Sequence, residues 1–479
     1  MVIDIDGLHL SLEDIISVAR QRTEVQLTLG AIERITQAHK SVAATARSRP
    51  VYGFSTGVGA NRSVHLSSGS NHGLNLLRSH AADAGQLLDA PTVRAMLVIR
   101  LSQLAAAGSG INPQIPLALA TMLNANALPE LREFGGIGTS DLPALAGTAL
   151  TLLGERPTLD GSIYSQGLKD WATEDALPFI SSNALTIARS VLAYYDLKVI
   201  NEQSVLTSAL SFVALSGNPE PFSPAVAACL DSGAIAEGYR RIFDLVRNAG
   251  TPVRLQDPFA LRTMAQLTGN VAEELAATEE RLTRLVVSRH ENPLVIGTVA
   301  EGNNDIAHHG LFLMLGLAKR LDTVRQILAT NAATCLRRIS FLCDPEYTGL
   351  HRFLAQDGFG QSGVMVIEYV AAAALSRLRS HAQPVSQQSV VLSLGVEDDA
   401  SFASEAAALL VGSVDALRVM TACEMLCSVR ALRQLGVDGE HFLSLETREF
   451  FSRALDLPEA MEDRDLRLDL EVAQRILGA

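Results

Sequence analysis

Two loops of this sequence carry a tyrosine and a histidine that are suited to moving protons. Tyr52 lies in a segment with three glycines, residues 51–59, and a glycine-rich loop lets backbone come close to a substrate. A tyrosine whose pKa is lowered is a competent general base or acid. His80 ends the segment 76–80, near the start of the next turn. The structural alternatives are a surface turn that packs the Tyr52 ring and a buried His80 bonded to backbone.

A third segment, residues 135–146, has small residues that run directly into a helix with Pro143 in its first turn. Thr139, Ser140 or Asp141 would serve as the N-cap of that helix, and this structural role is sufficient to explain them. The functional alternative is that the helix N-terminus supplies positive potential to an anion or an electrophile.

The elements that must position these loops are helices. Of the 479 residues, 48% are hydrophobic and 5% aromatic, and the apolar residues recur with the helical period. We expect an all-α fold with minor strands, in which a mixed N-terminal region, residues 1–200, precedes a core bundle of long helices, residues 201–479. A capping box predicts an early helix at residues 11–14, and further helices are predicted at Ala90–Ala107, Leu261–Val287, His309–Leu342, Val364–Leu378 and Glu405–Leu435.

The charge and the cysteine content exclude several classes of protein. There are 39 Lys and Arg against 52 Asp and Glu, a net charge of −13, so neither nucleic acid nor an anionic membrane surface is expected as a partner. Five scattered cysteines do not form a disulfide framework and fit a reducing compartment. Without a signal peptide or an apolar stretch of about 18 residues, the expected location is cytoplasmic.

No metal or nucleotide site is predicted. His308 and His309 are adjacent, so in a helix they would point about 100° apart, and they are interpreted as ordinary helix residues. Asp398 and Asp399 follow Glu397 and are interpreted as solvated loop acids. No Walker or dinucleotide glycine pattern occurs at a strand-to-helix turn.

In their order along the chain, these segments resemble the aromatic and histidine ammonia-lyase family, whose enzymes are built around 4-methylideneimidazole-5-one, the MIO electrophile. The resemblance implies that Tyr52 is the catalytic base and that His80 contacts the substrate side chain. It also implies that Arg262, in the segment 256–262, grips the substrate carboxylate. Further matching segments are residues 291–295, 361–365, 368–369 and 395–399.

The sequence departs from the family pattern at positions that belong to the family's site. The family cyclises an Ala/Thr-Ser-Gly triad into MIO, but here Asp141 follows Thr139 and Ser140 directly and the glycine is missing. A residue with a Cβ crowds the ring closure that glycine permits, so standard MIO formation is not expected. Phe259 stands where the family has a second catalytic tyrosine, and Val396 stands where it has a glutamine. Ser181 stands in place of a family asparagine, although the nearby Asn183 is an alternative for that role. After Asn303, Asn304 and Asp305 replace the family's Phe-His pair.

Three functions agree with these residues. The first is a divergent enzyme without MIO or another cofactor, in which Tyr52, assisted by His80 and Glu397, transfers a proton on a carboxylate that Arg262 binds. The substrate would be a small or natural-product carboxylate, with amino acids among the candidates. The reaction would be an elimination, an isomerisation or a conjugate addition with ring closure. The second function is a conventional ammonia-lyase or aminomutase whose residues 139–141 still cyclise, and the third is a non-catalytic homologue.

The resemblance also implies a quaternary structure. The expected assembly is a homotetramer with shared active sites, in which Tyr52 comes from one chain and the Thr139-Ser140 segment and Arg262 come from others. The long apolar helices fit this expectation, because their apolar stripes need partners beyond one chain.

Overall fold

Helices dominate the computed structural model, which describes residues 2–66, 71–297, 305–357 and 360–478. This confirms the predicted all-α class with minor strands. The helices are α1 Leu12–Gln21, α2 Leu29–Thr45, α3 His72–His80, α4 Ala90–Ala105, α5 Gln114–Asn124, α6 Leu142–Leu152, α7 Thr173–Ile180, α8 Ala184–Ala214, α9 Pro224–Ala227, α10 Gly233–Val246, α11 Phe259–Arg262, α12 Met264–Val286, α13 Leu315–Leu342, α14 Pro345–Thr348, α15 Met365–His381, α16 Ala403–Gln434, α17 Leu445–Ala454 and α18 Arg467–Ile476.

In the described ranges, three two-stranded sheets accompany these helices. The strands are β1 Val2–Ile5 and β2 Glu24–Leu27, which pair in parallel, β3 Ala84–Leu87 and β4 Arg132–Phe134, which are antiparallel, and the antiparallel hairpin β5 Leu294–Val295 and β6 Ile306–Ala307. In the hairpin, Leu294 lies opposite Ala307 and Val295 opposite Ile306.

The chain divides into two compact units. Unit 1 consists of Met1–Leu192, Glu279–Leu321 and Pro384–Ala408, and unit 2 of Ala193–Thr278, Asp322–Gln383 and Leu409–Ala479. The sequence boundary near residue 200 stays a prediction.

Unit 1 is organised around α4, whose residues 93–105 are all buried. The buried arginines of this helix donate hydrogen bonds to polar groups. Arg94 donates through Nε to the Val18 carbonyl at 2.7 Å. The predicted capping box at the start of α1 is confirmed, because Asp14 N–H donates to Ser11 Oγ and Ser11 N–H donates to the Asp14 carboxylate. Such reciprocal bonds satisfy two amides that a helix end otherwise leaves without partners.

The β5–β6 hairpin is attached to the end of α2. Val295 and Ile306 pack in one apolar cluster with Val42 and with Val51, the residue before Tyr52. Arg49, which follows α2, donates to Asp305 Oδ1 at 2.6 Å and also to the Ile306 carbonyl. Both contacts fix the start of the tyrosine loop against the hairpin.

Unit 2 is held by a buried ion pair between two long helices. Arg338 of α13 donates through Nε and Nη2 to the two carboxylate oxygens of Glu424 in α16, at 2.6 and 2.9 Å. Ser211 of α8 donates to Glu424 at 2.7 Å, which adds a third helix to the same network. A fully bonded pair of this kind satisfies charges that burial would otherwise penalise.

The long helices lie close to their predicted positions, with one clear error. The prediction that a helix begins at His309 is wrong, because α13 begins at Leu315. His308 and His309 lie instead in a segment without regular secondary structure that follows β6.

Within the described part of the chain, two segments are long and apolar enough, by length and composition, to cross a membrane: Thr173–Ala214, which contains α7 and α8, and Ala403–Gln434, which is α16. Length and composition alone do not distinguish a membrane-spanning helix from a buried core helix. In the structure, 94% and 61% of their apolar windows are buried inside the protein. This burial is typical of the core helices of a soluble protein.

Candidate active site

A cavity of about 430 Å³ lies in unit 1. Its walls come from five segments: the tyrosine loop, the turn before α6, the end of α7, the segment around the β5–β6 hairpin, and residues 396–399. The lining residues are Tyr52, Gly59, Arg62, Thr139, Ser140, Leu142, Leu177, Ser181, Asn292, Gly310, Phe312, Leu313, Val396, Glu397, Asp398 and Asp399.

Tyr52 is held at the cavity wall by its own loop. Its hydroxyl oxygen accepts a hydrogen bond of 2.7 Å from the Gly59 amide. The next residue, Gly53, has φ +72°, and a Cβ there would lie 2.2 Å from Leu177 Cδ2, so this turn requires glycine. Burial raises the pKa of Tyr52, the Gly59 amide lowers it, the Glu397 carboxylate raises it and the Arg62 guanidinium lowers it. The net effect is a raised pKa.

Glu397 is brought to the tyrosine loop by a short turn of backbone. Leu392 N–H donates to the Glu397 carbonyl at 2.8 Å, which closes the turn. In the same turn, Ser393 Oγ accepts from the Ala60 amide at 3.0 Å. A Cβ on Gly59 would lie 2.7 Å from that Ser393 oxygen, so the two segments approach each other closely only because residue 59 is glycine.

The segment before α6 is pinned by its backbone amides. Ser140 N–H donates to Asn183 Oδ1 at 3.0 Å, and Asp141 N–H donates to the Ser182 carbonyl at 2.6 Å. Ser140 has φ +102°, in the left-handed region that favours glycine, so its backbone is strained.

Asp141 points away from the cavity and is only 1% exposed. Its carboxylate accepts from Thr186 N–H and from Thr186 Oγ, both at 2.8 Å. Burial raises its pKa, and the hydrogen bonds from Thr186 oppose that shift. Asp141 occupies the N-cap position of α6, as one of the three predicted alternatives, but its side chain bonds α8 rather than the amides of α6.

Ser181 and Asn183, the two alternative site residues predicted at the end of α7, have different surroundings in the structure. Ser181 lines the cavity, and its Oγ accepts from the Asn292 amide at 3.0 Å. Asn183 is fully buried behind the wall. Its Oδ1 accepts from Ser140 and its Nδ2 donates to the Phe312 carbonyl at 2.8 Å, so both ends of the amide hold cavity backbone.

Tyr52, Thr139 and Ser140 line the same cavity of a single chain. One chain by itself thus places Tyr52 beside Thr139 and Ser140, and the expected sharing of the site between chains stays a prediction. Gly53, seated against Leu177 of α7, fixes the tyrosine loop to the chain that carries residues 139–140.

Other predicted site residues lie outside the lining of this cavity. His80 ends α3, and its Nδ1 lies 3.0 Å from the Leu76 carbonyl. Arg262 and Phe259 lie in α11 of unit 2, where the Arg262 guanidinium stacks on the Phe259 ring at 4.5 Å and donates to Gln256 Oε1 at 3.0 Å. Asn303 and Asn304 lie outside the described residues.

His308 and His309 shape the site, although the sequence analysis interpreted them as ordinary helix residues rather than as a metal pair. His308 Nε2 accepts from the Tyr52 amide at 3.1 Å. His309 N–H donates to Asn292 Oδ1 at 3.0 Å, and its Nε2 lies 2.7 Å from the Glu291 carbonyl. The signal available in the sequence was two adjacent imidazoles before Gly310, a residue that lines the cavity.

A buried polar network supports the wall that Ser181 and Asn292 share. Arg100 Nη1 donates to Glu291 Oε1 at 2.9 Å, and Arg100 Nε donates to the Phe179 carbonyl at 3.0 Å. His290, only 4% exposed, lies beside this pair, and burial, together with the charge of Arg100, lowers its pKa to about 3.

The cavity lining carries more acids than bases. Glu397, Asp398 and Asp399 face it together with Arg62. Within the described ranges, no group of three or more His, Cys, Asp or Glu side chains has the arrangement of a metal site. The chemistry that these residues offer is proton transfer beside a polar, predominantly acidic wall.

Comparison with known proteins agrees with the resemblance seen in the sequence. The family model for aromatic amino acid lyases matches residues 10–454. The chain is 30% identical over 491 residues to histidine ammonia-lyase of Symbiobacterium thermophilum, an alignment that covers 98% of this chain and 96% of that protein. It is also 30% identical over 455 residues to histidine ammonia-lyase of Streptomyces griseus, with 89% and 87% covered.

Solved structures of related proteins have the same fold. Ergothionase from Treponema denticola superposes with a TM-score of 0.90 at 23% identity, covering 100% of this chain and 98% of that chain. Phenylalanine aminomutase from Pantoea agglomerans superposes with a TM-score of 0.89 at 24% identity, covering 100% and 99%. Together with the family model, these likenesses confirm the predicted fold and family. The chain belongs to the aromatic amino acid lyase family, whose members are carbon–nitrogen lyases.

Proposed function

We propose that this protein is an enzyme that works without the MIO group and uses Tyr52 to transfer a proton on a small carboxylate. The observation that carries the proposal is that both the amide and the carboxylate of Asp141 are engaged in hydrogen bonds. Its amide donates to the Ser182 carbonyl at 2.6 Å, and its carboxylate accepts two hydrogen bonds from Thr186.

The residues at the family's cyclisation site do not fit the MIO group. Ring closure requires the amide nitrogen of the third residue to attack the carbonyl of the first, here Thr139. The Asp141 amide is engaged with Ser182 instead, and its Cβ leads to a carboxylate held at α8. Closure would remove the Asp141 amide proton and leave the buried Ser182 carbonyl without this hydrogen bond, at a cost of about 1–3 kcal/mol.

We assign the proton transfer to Tyr52, which lines the cavity and whose hydroxyl is held by the Gly59 amide. The Gly59 amide and the Arg62 charge favour its phenolate, whereas burial and Glu397 favour the phenol, and the net pKa is raised above its ordinary value. Tyr52 acts as a base only in its phenolate form, and the fraction of that form increases as the pH rises toward the pKa. We therefore expect kcat/KM to increase with pH through the neutral and mildly alkaline range.

The missing electrophile limits the substrates that can react. In an elimination, Tyr52 takes a proton from the carbon next to the leaving-group carbon, the electron pair forms a double bond, and the carbon–nitrogen bond breaks toward nitrogen. A primary ammonium group loses its own N–H proton to the base first, because that proton is far more acidic than a C–H. A quaternary ammonium group has no such proton and leaves as a neutral amine. The reaction class therefore favours quaternary amines, more acidic carbon acids or already unsaturated acids.

The remaining parts of the proposal concern the setting of the site. Arg262 would bind the carboxylate, and the enzyme would be a cytoplasmic homotetramer that acts on a natural-product acid. Several large apolar side chains of the described chain are exposed, which supports an assembly with further copies. They include Leu255, Phe259, Val366, Tyr369, Val391 and Leu394.

The first experiment is the mass of the tryptic peptide that spans residues 133–169, because Pro157 prevents cleavage after Arg156. We expect the encoded mass. A peptide lighter by two water molecules localised to residues 139–141 would contradict the proposal and favour a conventional ammonia-lyase or aminomutase. The matched control is a variant with a glycine inserted between Ser140 and Asp141, which restores the family's triad.

The second experiment tests the base. Tyr52→Phe keeps the ring and removes the hydroxyl, so turnover should fall by about 10²- to 10⁴-fold while the melting temperature changes little. Full activity in this variant would contradict the proposal. A wild-type protein that neither binds nor turns over any small carboxylate would favour the third function, a non-catalytic homologue. Binding is read from ligand-induced stabilisation, which an Arg262→Ala variant should weaken.

A further inference from the structure

We propose that His308, in its neutral form, is a positioning residue for Tyr52, and that protonation of His308 releases the tyrosine loop. The inference rests on the proposed role of Tyr52 as the proton-transfer residue. His308 does not line the cavity and would act only through Tyr52, so it is distinct from the groups that contact a substrate.

Tyr52 is fixed at both of its ends. Its hydroxyl accepts from the Gly59 amide at 2.7 Å, and its backbone N–H donates to His308 Nε2 at 3.1 Å. The two rings also meet edge to face, with centroids 6.5 Å apart and planes at 88°. The bond to Gly59 lies within the loop, whereas the bond to His308 links the loop to another part of the chain.

The surroundings of His308 give it a defined position. It follows β6 directly, and Ile306 of that strand packs in the same apolar cluster as Val51, the neighbour of Tyr52. Arg49 joins the two segments by donating to Asp305 and to the Ile306 carbonyl. These contacts hold the imidazole beside the Tyr52 amide.

The contact requires a neutral imidazole. A histidine nitrogen accepts a hydrogen bond only when it carries no proton. Nε2 of His308 must therefore be unprotonated, and the proton of the neutral ring must lie on Nδ1. Among the residues that the structure describes, the charged and titratable groups around His308 are Arg49, His309, Tyr52 and Asp305. Burial, the Arg49 charge and His309 lower the pKa of His308 below its ordinary value. The Asp305 carboxylate, which would oppose this, is paired with Arg49.

The direction of the pH effect follows from this shift. In an open loop, His308 would titrate near its ordinary pKa of about 6.5, while in the closed loop its pKa is lower. The stability of the closed loop is therefore complete above about pH 6.5 and is lost as pH falls through the interval between the two values. The open loop becomes more populated on the acid side.

Hydrogen exchange of the Tyr52 amide, resolved to single residues and corrected for the intrinsic pH dependence of exchange, tests the inference without any substrate. We expect wild-type protection to decrease below pH 6.5. His308→Gln keeps an acceptor that does not titrate, so its protection should be independent of pH. His308→Ala removes the acceptor, so above pH 6.5 its protection should be about fivefold lower than in the wild type, which corresponds to one net hydrogen bond, and this lower protection should not depend on pH. His351→Gln, an exposed histidine of unit 2, is the matched control and should behave as the wild type.

Equal protection of the Tyr52 amide in the wild type and His308→Ala at all pH values would overturn the inference and leave the proposed function untouched. Conversely, an exchange effect as expected together with full activity in Tyr52→Phe would overturn the proposed function and leave the contact standing. Where activity is measurable, the wild type should lose additional kcat/KM below about pH 6.5, beyond the decline that protonation of Tyr52 causes, and His308→Gln should lack this additional loss. The same additional loss in His308→Gln would also overturn the inference.

Discussion

The Asn183 side chain joins two walls of the cavity: its Oδ1 accepts from Ser140 N–H at 3.0 Å, and its Nδ2 donates to the Phe312 carbonyl at 2.8 Å. One buried amide thus sets the distance between the segment before α6 and the segment after the β5–β6 hairpin. Ser140 and Phe312 both line the cavity, so the width of the site depends on a residue that does not contact its contents.

Replacing Asn183 with alanine should lower the free energy of unfolding by about 1–3 kcal/mol or more, because a buried N–H and a buried carbonyl lose their partners. Urea denaturation measures this change. The matched control is Asn270→Ala, since Asn270 is partly exposed and bonds only the carbonyl of Gln266 in its own helix. A change of less than about 0.5 kcal/mol at Asn183 would contradict the bracing role.

The contact between Asp141 and Thr186 should appear as coupling in a double-mutant cycle. Asp141→Ala and Thr186→Val each remove part of the same hydrogen-bond network. The loss in free energy of unfolding of the double variant should therefore be smaller, by about 0.5–3 kcal/mol, than the sum of the losses of the two single variants. The Thr186 amide remains in Thr186→Val, so that variant should be the milder one. Additive effects would mean that the two hydrogen bonds of 2.8 Å contribute little.

The positive φ of Ser140 predicts an unusual response to glycine. Ser140→Gly and Ser140→Ala both lose the hydroxyl, but only glycine adopts φ +102° without strain. The glycine variant should therefore be more stable than the alanine variant by about 1 kcal/mol. Equal melting temperatures for the two variants would contradict a strained backbone at this position.

His290 should make the protein sensitive to acid. Burial and Arg100 lower its pKa to about 3 from an ordinary value of 6.5. A lowered pKa contributes stability that is complete above about pH 6.5 and is lost as pH falls toward 3, because the unfolded chain takes up the proton first. Between pH 7 and pH 4, the melting temperature of His290→Gln should decrease less than that of the wild type. An equal decrease in both proteins would contradict the lowered pKa of His290.

The helical framework was predictable because its signals are local. The capping box of Ser11 and Asp14, the limits of α4 and the apolar periodicity of α16 all lie within a few turns of chain. Local patterns do not report tertiary contacts, so the helix predicted to begin at His309 was wrong. That residue is held by Asn292 and Glu291, about 18 positions earlier in the chain.

The site was predicted in part. Tyr52, the segment 139–141, Ser181 and Glu397 were identified from the family pattern, and except for Asp141 they line the cavity. The pattern could not distinguish Ser181 from Asn183, because which of two close residues faces a cavity depends on the φ and ψ angles at the end of α7. The contact of His308 with Tyr52 was not predicted for a similar reason, since the two residues are 256 positions apart in sequence.

Asp141 also limits how this chain could change. Substituting it with glycine would supply the missing residue type but remove two hydrogen bonds to Thr186, whereas inserting a glycine before it would leave the carboxylate in place. Restoring the family's triad without loss of these bonds thus demands a change of length, which single-nucleotide substitution does not provide. Within the existing length of the chain, the polar contacts at the start of α6 therefore oppose a return to the triad.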